Sequence, residues 1–331
     1  MNRITPHDVG RRVSVRRRLS PEGAPPQFGD VVGVLDAWSA GVLTITRKDG
    51  SITRVDEHTL VAGKVVPPVP ARGPAALPVE LLQAAADRAW PAFEYAALGG
   101  WRLRAAGGFT ARANSVLALD EPGLPFDAAL AEAERWYADR GLPCLFQTVD
   151  GDAEDRALAA LGWTPVRAAL FRTGRLAAAR DRLDAVDDSR VELSGTFDDA
   201  WMSLYRRVDD LSPEVRHVLA GPPGTLFAQI RDAATGATVA IGRCAIEVGG
   251  DAGPGPGRRL AGFAAVEVDP AHRRQGLARA IMKALTAEAL DAGATTGWLQ
   301  VEPDNDPAIA LYDALGFADH HRYHYRQPPQ A

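Results

Sequence analysis

Two stretches of this 331-residue chain repeat one pattern, and that repetition limits the fold more than any other feature. QTVDGDAEDRALAALGWTPVRAALFR (Gln147 to Arg172) aligns with QVEPDNDPAIALYDALGFADHHRYHYR (Gln300 to Arg326) across a single one-residue gap. Each reads as a strand, a helix, a Leu-Gly-aromatic turn and a second strand. An alanine-rich helix ending in glycine precedes each, Asp127 to Gly141 in the first and Leu277 to Gly293 in the second. Self-similarity on this scale marks a duplicated supersecondary unit. Residues 77–185 and 186–331 are therefore expected to be two copies of one α/β unit, packed together.

Ahead of the duplication the hydrophobic period changes. Residues 1–66 alternate in short apolar pieces, Arg12 to Arg18, Asp30 to Trp38, Val42 to Arg47 and Ser51 to Val55, with Gly and Asp-Gly turns between them. That pattern predicts a small all-β barrel. In Arg12-Val13-Ser14-Val15-Arg16 the two valines share one face. The segment holds ten basic and seven acidic side chains, a net of +3 in a chain whose net charge is −5. Its arginines, Arg3, Arg11, Arg12, Arg16, Arg17 and Arg18, form either a solvated face or a patch that meets nucleic acid or an acidic protein. The proline-rich run from Val66 to Pro74 has few backbone donors and stiff φ angles, so residues 67–76 read as a semi-rigid linker.

With 46% hydrophobic and 24% charged residues the chain is globular and not disordered. Cys144 and Cys244 lie far apart in apolar runs without metal-type spacing, and read as buried thiols in a reducing compartment. MNRITPHDVGRRV lacks the apolar stretch of a signal peptide, and no run approaches the roughly 18 apolar residues that span a bilayer. The expectation is a cytoplasmic protein with no membrane contact and no bound metal.

Chemistry concentrates in the second copy. Leu260 to Val268 reads as a strand, and a helix follows with Ile281, Leu285 and Ala289 on one face. Between them lies Arg273-Arg274-Gln275-Gly276-Leu277-Ala278. A helix N-terminus offers unpaired N–H groups and a positive dipole end, so this turn can hold a pyrophosphate, with arginines adding charge. The same residues also fit an exposed charged loop.

The spacing resembles that of the general-control-related N-acetyltransferase (GNAT) family, whose Arg/Gln-x-x-Gly-x-Gly/Ala pattern directly follows a core strand. Arg273, Gly276 and Ala278 fill it. A second element, Asn305, Ala308, Leu311, Tyr312 and Leu315-Gly316-Phe317, is similar to the family's Asn-x-x-Ala-x-x-Leu-Tyr-x-x-x-Gly-Phe. Over residues 190–331 the resemblance implies the α+β GNAT fold, a mixed sheet flanked by helices, and an acyltransferase that moves acetyl from acetyl-CoA to an amine acceptor. It places the cofactor's pyrophosphate on Arg273, Arg274, Gln275, Gly276, Leu277, Ala278 and Arg279, and its pantetheine arm on the splayed strand at Val266 and Val268.

Tyr312 matches the position that protonates the departing thiolate, though it also fits a core tyrosine beside Ala308 and Leu315. Asn305 is either a cofactor contact or a helix cap. For the base the residues leave several candidates: Glu267, Glu302, Asp304, His320, His321 and His324.

The first copy departs from the pattern. Where the second has HRRQGLA, the first has Asp120-Glu121-Pro122-Gly123-Leu124-Pro125, acidic and broken by proline, which repels a pyrophosphate. Leu158 stands at the Tyr312 position. The first copy is expected to bind no CoA and to shape the acceptor pocket. Its segment GGWRLRAAGGFTARANSV (Gly99 to Val116) resembles tandem actinobacterial members of the family that carry an SH3-like barrel in front, one of which is described as a histone acetyltransferase. Arg112 and Asn114 there are either acceptor contacts or parts of a turn. The acceptors implied are a protein lysine or, by similarity to tandem proteins of the mycothiol-synthase type, a small amine. A third reading is a non-catalytic acetyl-CoA sensor whose output module is the barrel.

Overall fold

Alternating apolar residues build the first of two compact units, Met1–Arg72 and Gly73–Ala331. The computed structural model describes residues 4–9, 11–20, 25, 27–39, 41–47, 52–66, 77–205, 211–247 and 259–329. The expected linker, residues 67–76, lies outside them.

The first unit is a five-stranded antiparallel sheet of β1 (Arg12–Arg18), β2 (Phe28–Ser39), β3 (Val42–Arg47), β4 (Ile52–Asp56) and β5 (Leu60–Val65), in the order β4-β3-β2-β1-β5. Strand β5 was not anticipated, because its glycine and lysine break the alternation. Val13 and Val15 are fully buried with Val31, Leu35, Leu43, Ile45 and Val55, as period-two alternation requires. Arg16 points outward and donates to both oxygens of Asp30 at 2.8 and 3.0 Å.

The second unit opens with α1 (Val79–Ala89), β6 (Glu94–Leu98), β7 (Trp101–Ala105), β8 (Val116–Ala118), α2 (Phe126–Ala138), β9 (Phe146–Val149), α3 (Ala153–Ala160), β10 (Thr164–Arg175) and α4 (Leu176–Leu183). It continues with β11 (Glu192–Ser194), α5 (Asp199–Leu204), α6 (Pro213–Ala220), β12 (Thr225–Arg231), β13 (Thr238–Ile246) and β14 (Arg259–Val268). The chain then runs through α7 (Leu277–Asp291), β15 (Ala294–Val301), α8 (Asp306–Leu315) and β16 (Ala318–Gln327). Both aligned stretches form strand, helix and strand, and both Leu-Gly-aromatic turns use a left-handed glycine, Gly162 at φ +82° and Gly316 at φ +84°. That conformation ends a helix at little cost only for glycine.

All these strands join one sheet, in the order β11-β12-β13-β14-β15-β10-β16-β9-β8-β7-β6. Only β8·β9 and β14·β15 are parallel. Apart from the extra edge strand β11 the order reads alike from either side, and near its centre the closing strands of the two aligned stretches are exchanged. β10 lies between β15 and β16, while β16 lies between β10 and β9. The exchange lets one continuous sheet replace two abutting ones and leaves β6 and β11 as its edges. Helix α7 buries Ile281, Met282, Leu285 and Ala289 against it; each large apolar side chain so buried contributes roughly 1.5–3 kcal/mol. Among the described residues no helix is long and apolar enough to cross a membrane.

Candidate active site

Strands β13 and β14 pair in antiparallel register from Ile246↔Ala261 to Arg243↔Ala264, then slip, so that Glu267 faces Ile241 and Val268 faces Ala240. The extra residue falls at Ala265 and Val266, with Ala265 at φ +52°. A bulge of this kind re-aims the side chains that follow. Simple alternation predicts Val266 and Val268 on one face with Glu267 opposite. Val266 and Val268 both pack against the core that holds Ile281 and Leu285, and the run from Gly262 to Glu267 lines a cavity.

On its other side β14 pairs in parallel with β15 from Arg259↔Ala294 to Phe263↔Leu299 and no further, although β14 runs on to Val268 and β15 to Val301. The strands part at that point, and the gap opens into a cavity of about 770 Å³. Gly262, still within the paired stretch, makes room for Trp298: a Cβ there would lie 2.2 Å from the indole, and Trp298 lines the cavity. The wedge leaves backbone groups of both strands without ladder partners on its inner edges, as at any sheet edge.

Helix α8 supplies one wall. Asn305 caps it, its side-chain oxygen accepting the Ala308 N–H at 3.2 Å, and it also lines the cavity. Tyr312 lies about two turns further along the same face, only 7% exposed, in the core with Leu315 and Phe317 and at the cavity wall. For both residues the structural and the functional reading hold at once. Pro307 at the start of α8 and Gly316 at its end set its length.

Helix α7 begins at Gly276, whose φ of +81° and absent side-chain cap leave the helix N-terminus open. Arg274 is also left-handed, at φ +60°. The first intrahelical bond is from Ala280 N–H to the Gly276 carbonyl at 3.0 Å, so the N–H groups of Leu277, Ala278 and Arg279 have no partner within the helix. A Cβ at Gly276 would meet nothing within 4 Å. Arg273, Arg274, Gln275 and Arg279 are exposed around this open end.

Sequence reasoning named only Arg112 at the far end of the cavity. It is lined by Trp90, Thr110, Arg112 and Arg167 from residues 77–185 and by Tyr205, Arg243, Tyr323 and Tyr325 from residues 186–331. The signal for Arg243 was present: a lone arginine in the apolar run VAIGRCAI, where burial demands partners. Asn114 is not a lining residue. It organises the 106–114 turn, accepting from the N–H groups of Ala106 and Gly108 at 2.8 and 2.9 Å and donating to the carbonyls of Phe109 and Thr110.

The three candidate histidines of β16 do not line the cavity. His324 contacts Asp150 at 2.7 Å, and His320 and His321 belong to a separate half-buried network. Glu302 and Asp304, both exposed, stand with Glu267 among the lining residues. Both cysteines are buried and free; burial pushes the Cys244 thiol up to about 12 and raises that of Cys144 as well.

Residues 79–326 match a family model described as "Probable histone acetyltransferase Rv0428c C-terminal", and residues 7–64 match one described as "Rv0428c N-terminal Sm-like domain". The β-rich first unit, for which an SH3-like barrel was expected, thus matches a family described as Sm-like. The chain is 31% identical over 323 residues to the probable histone acetyltransferase Rv0428c of Mycobacterium tuberculosis, covering 96% of this chain and 94% of that protein. Its fold is similar to a GCN5-related N-acetyltransferase from Kribbella flavida, with a TM-score of 0.55 at 20% identity, over 79% of this chain and 98% of that one. It is also similar to a tandem GNAT protein from the clavulanic acid biosynthesis pathway, with a TM-score of 0.52 at 18% identity, over 78% and 92% of the two chains. The chain belongs to the GCN5-related N-acetyltransferase family and is an acyltransferase of that family.

Proposed function

We propose that this protein transfers the acetyl group of acetyl-CoA to a primary amine by direct attack within a ternary complex. The observation that carries this reading is the parting of β14 from β15 beside the open N-terminus of α7. A neutral, amide-rich pantetheine arm suits the free strand edges. The pyrophosphate suits the N–H groups of Leu277, Ala278 and Arg279, with Arg273, Arg274 and Gln275 around it and Gly276 giving close approach. Val266, Val268 and Asn305 complete the proposed cofactor contacts.

In this reading the acceptor arrives as an ammonium and loses one proton to Glu267. Its lone pair attacks the thioester carbon, and a backbone N–H of the bulged strand faces the oxyanion. Collapse breaks the C–S bond, and Tyr312 protonates the departing thiolate, whose free pKa is about 8.5. The second amine proton returns to the tyrosine. The products are an N-acetyl amine and CoA, with one proton released.

Residues 77–185 then serve as a degenerate copy that binds no CoA, residues 186–331 as the catalytic copy, and residues 1–66 as an SH3-like barrel. Support for the duplication comes from the aligned stretches and the symmetric strand order. The test is thiol release from acetyl-CoA, with acetylated product identified by mass spectrometry, for lysine-rich proteins and for small amines. Tight binding of acetyl-CoA without release to any acceptor would instead favour a sensor.

A further inference from the structure

The far end of the cavity carries two guanidinium groups against one indole. The Cζ of Arg112 lies 5.4 Å and that of Arg243 5.0 Å from the Trp90 ring centroid. Arg243 is 1% exposed. It donates from Nε to the Leu219 carbonyl and from Nη2 to the Ala89 carbonyl, both at 2.8 Å, which uses two of its N–H groups. The Nε of Arg112 is out of contact with water and has no hydrogen-bond partner. Among the described residues neither guanidinium forms an ion pair with a carboxylate.

Setting the half-buried Arg112 beside the buried Arg243, with no carboxylate of the described residues paired to either, is unfavourable, because desolvation and mutual repulsion both oppose it. Burial, with the Arg112 charge beside it, holds the Arg243 pKa down at about 10. Arg167 of β10, exposed and left-handed at φ +51°, also lines the cavity. The carboxylates among the described lining residues are Glu267, the proposed base, and Glu302 and Asp304, which are exposed around the start of α8. Acetyl-CoA does not supply an anion to these two guanidinium groups, since its acetyl end is neutral and its phosphates suit the N-terminus of α7.

We infer that the acceptor is a small primary amine bearing its own oxyanion, a carboxylate or a phosphate, which Arg112 and Arg243 bind while the amine faces the parted strands. This rests on the acetyltransferase reading above and narrows it to a substrate class. Planar guanidinium forks match either oxyanion in bidentate fashion, and Tyr205, Tyr323 and Thr110 line the same cavity.

The test uses the full chain with saturating acetyl-CoA. Melting temperature and thiol release are read with free amino acids, with aminoalkyl phosphates, with the matching amino-acid amides and plain amines, and with a lysine-rich peptide. The inference expects stabilisation and turnover with one of the two anionic sets and little with the neutral partners. Arg112→Met is expected to lower kcat/KM for the anionic amine about a hundredfold, the range for losing hydrogen bonds to a charged group, with acetyl-CoA affinity unchanged. Arg112→Lys, which keeps the charge, is expected to recover part of that loss and controls for folding. Neutral amines or the peptide reacting as well as the anionic set would overturn the inference, as would acetyl-CoA binding with no stabilisation by any anionic amine. Failure to bind acetyl-CoA at all would instead remove the reading beneath it.

Discussion

Arg172, buried on β10, reaches across the exchanged strands to place its Nη2 2.5 Å from the Asp313 carboxylate of α8. It also forms an ion pair with Asp319 at 2.7 Å and donates to the carbonyls of Phe317 and Ile309. One side chain from the first aligned stretch thereby fixes the helix that carries Asn305 and Tyr312 in the second.

Replacing Arg172 with methionine keeps the apolar stem and removes these bonds. Because the two carboxylates are more than half exposed and regain water, the loss comes mainly from the two carbonyls and is about 2 kcal/mol. Denaturant unfolding monitored by circular dichroism checks this, and a midpoint equal to that of the wild type would contradict the clamp.

Tyr312→Phe removes one hydroxyl from a packed ring. Turnover is expected to fall on the order of a hundredfold, the lower range for a general acid, with acetyl-CoA affinity within a factor of about two because the ring packing is retained. Unchanged turnover in a thiol-release assay would take Tyr312 out of the mechanism.

The pH response centres on His321. Arg104 donates to the Gln147 side-chain oxygen, and Gln147 donates to that of Gln83. Since arginine cannot accept, the amides are fixed in direction, and Gln83 presents its NH2 to His321 Nε2 at 2.8 Å. The His321 Nδ1–H then donates to His320 Nδ1, and His320 Nε2–H to the Leu77 carbonyl. A proton on His321 Nε2 would face another donor. Burial, with His320 beside it, lowers the His321 pKa to about 4.

The unfolded chain, with a pKa near 6.5, therefore binds more protons below that value. The contribution is present in full above pH 6.5 and is lost as pH falls toward 4. His321→Phe, which keeps the stack on Phe171, is expected to be less stable at pH 7.5 yet to show a shallower fall in melting temperature between pH 6.5 and 4. Parallel curves would remove His321 as the source.

Cys144 and Cys244 are expected to resist a thiol reagent at pH 8 in the native protein, since burial raises both pKa values and reaction needs the thiolate. Both should react after unfolding. Rapid native labelling of either would contradict their burial.

The sequence carried the local elements well because their signals are local. Valine alternation located β1 and β3 to the residue, and the left-handed glycines ending α3 and α8 were visible as Leu-Gly-aromatic turns. What was hidden is long-range. No residue pattern announces that β10 and β16 exchange places, because both strands read the same whichever neighbour they pair with. The bulge at Ala265 was hidden too, since alanine gives no sign of a left-handed φ. Trp90, Arg112 and Arg243 meet only through the tertiary fold.

Calorimetric titration of acetyl-CoA into the intact protein and into Gly276→Asp tests the central claim most directly. Aspartate tolerates a left-handed φ better than most residues, and the open space at Gly276 admits its side chain, so the variant should fold, as its circular dichroism melt can verify. It would set a negative charge where the pyrophosphate is proposed to lie. The account predicts one site per chain in the intact protein and none in the variant; equal binding by both, or binding by neither, would contradict it.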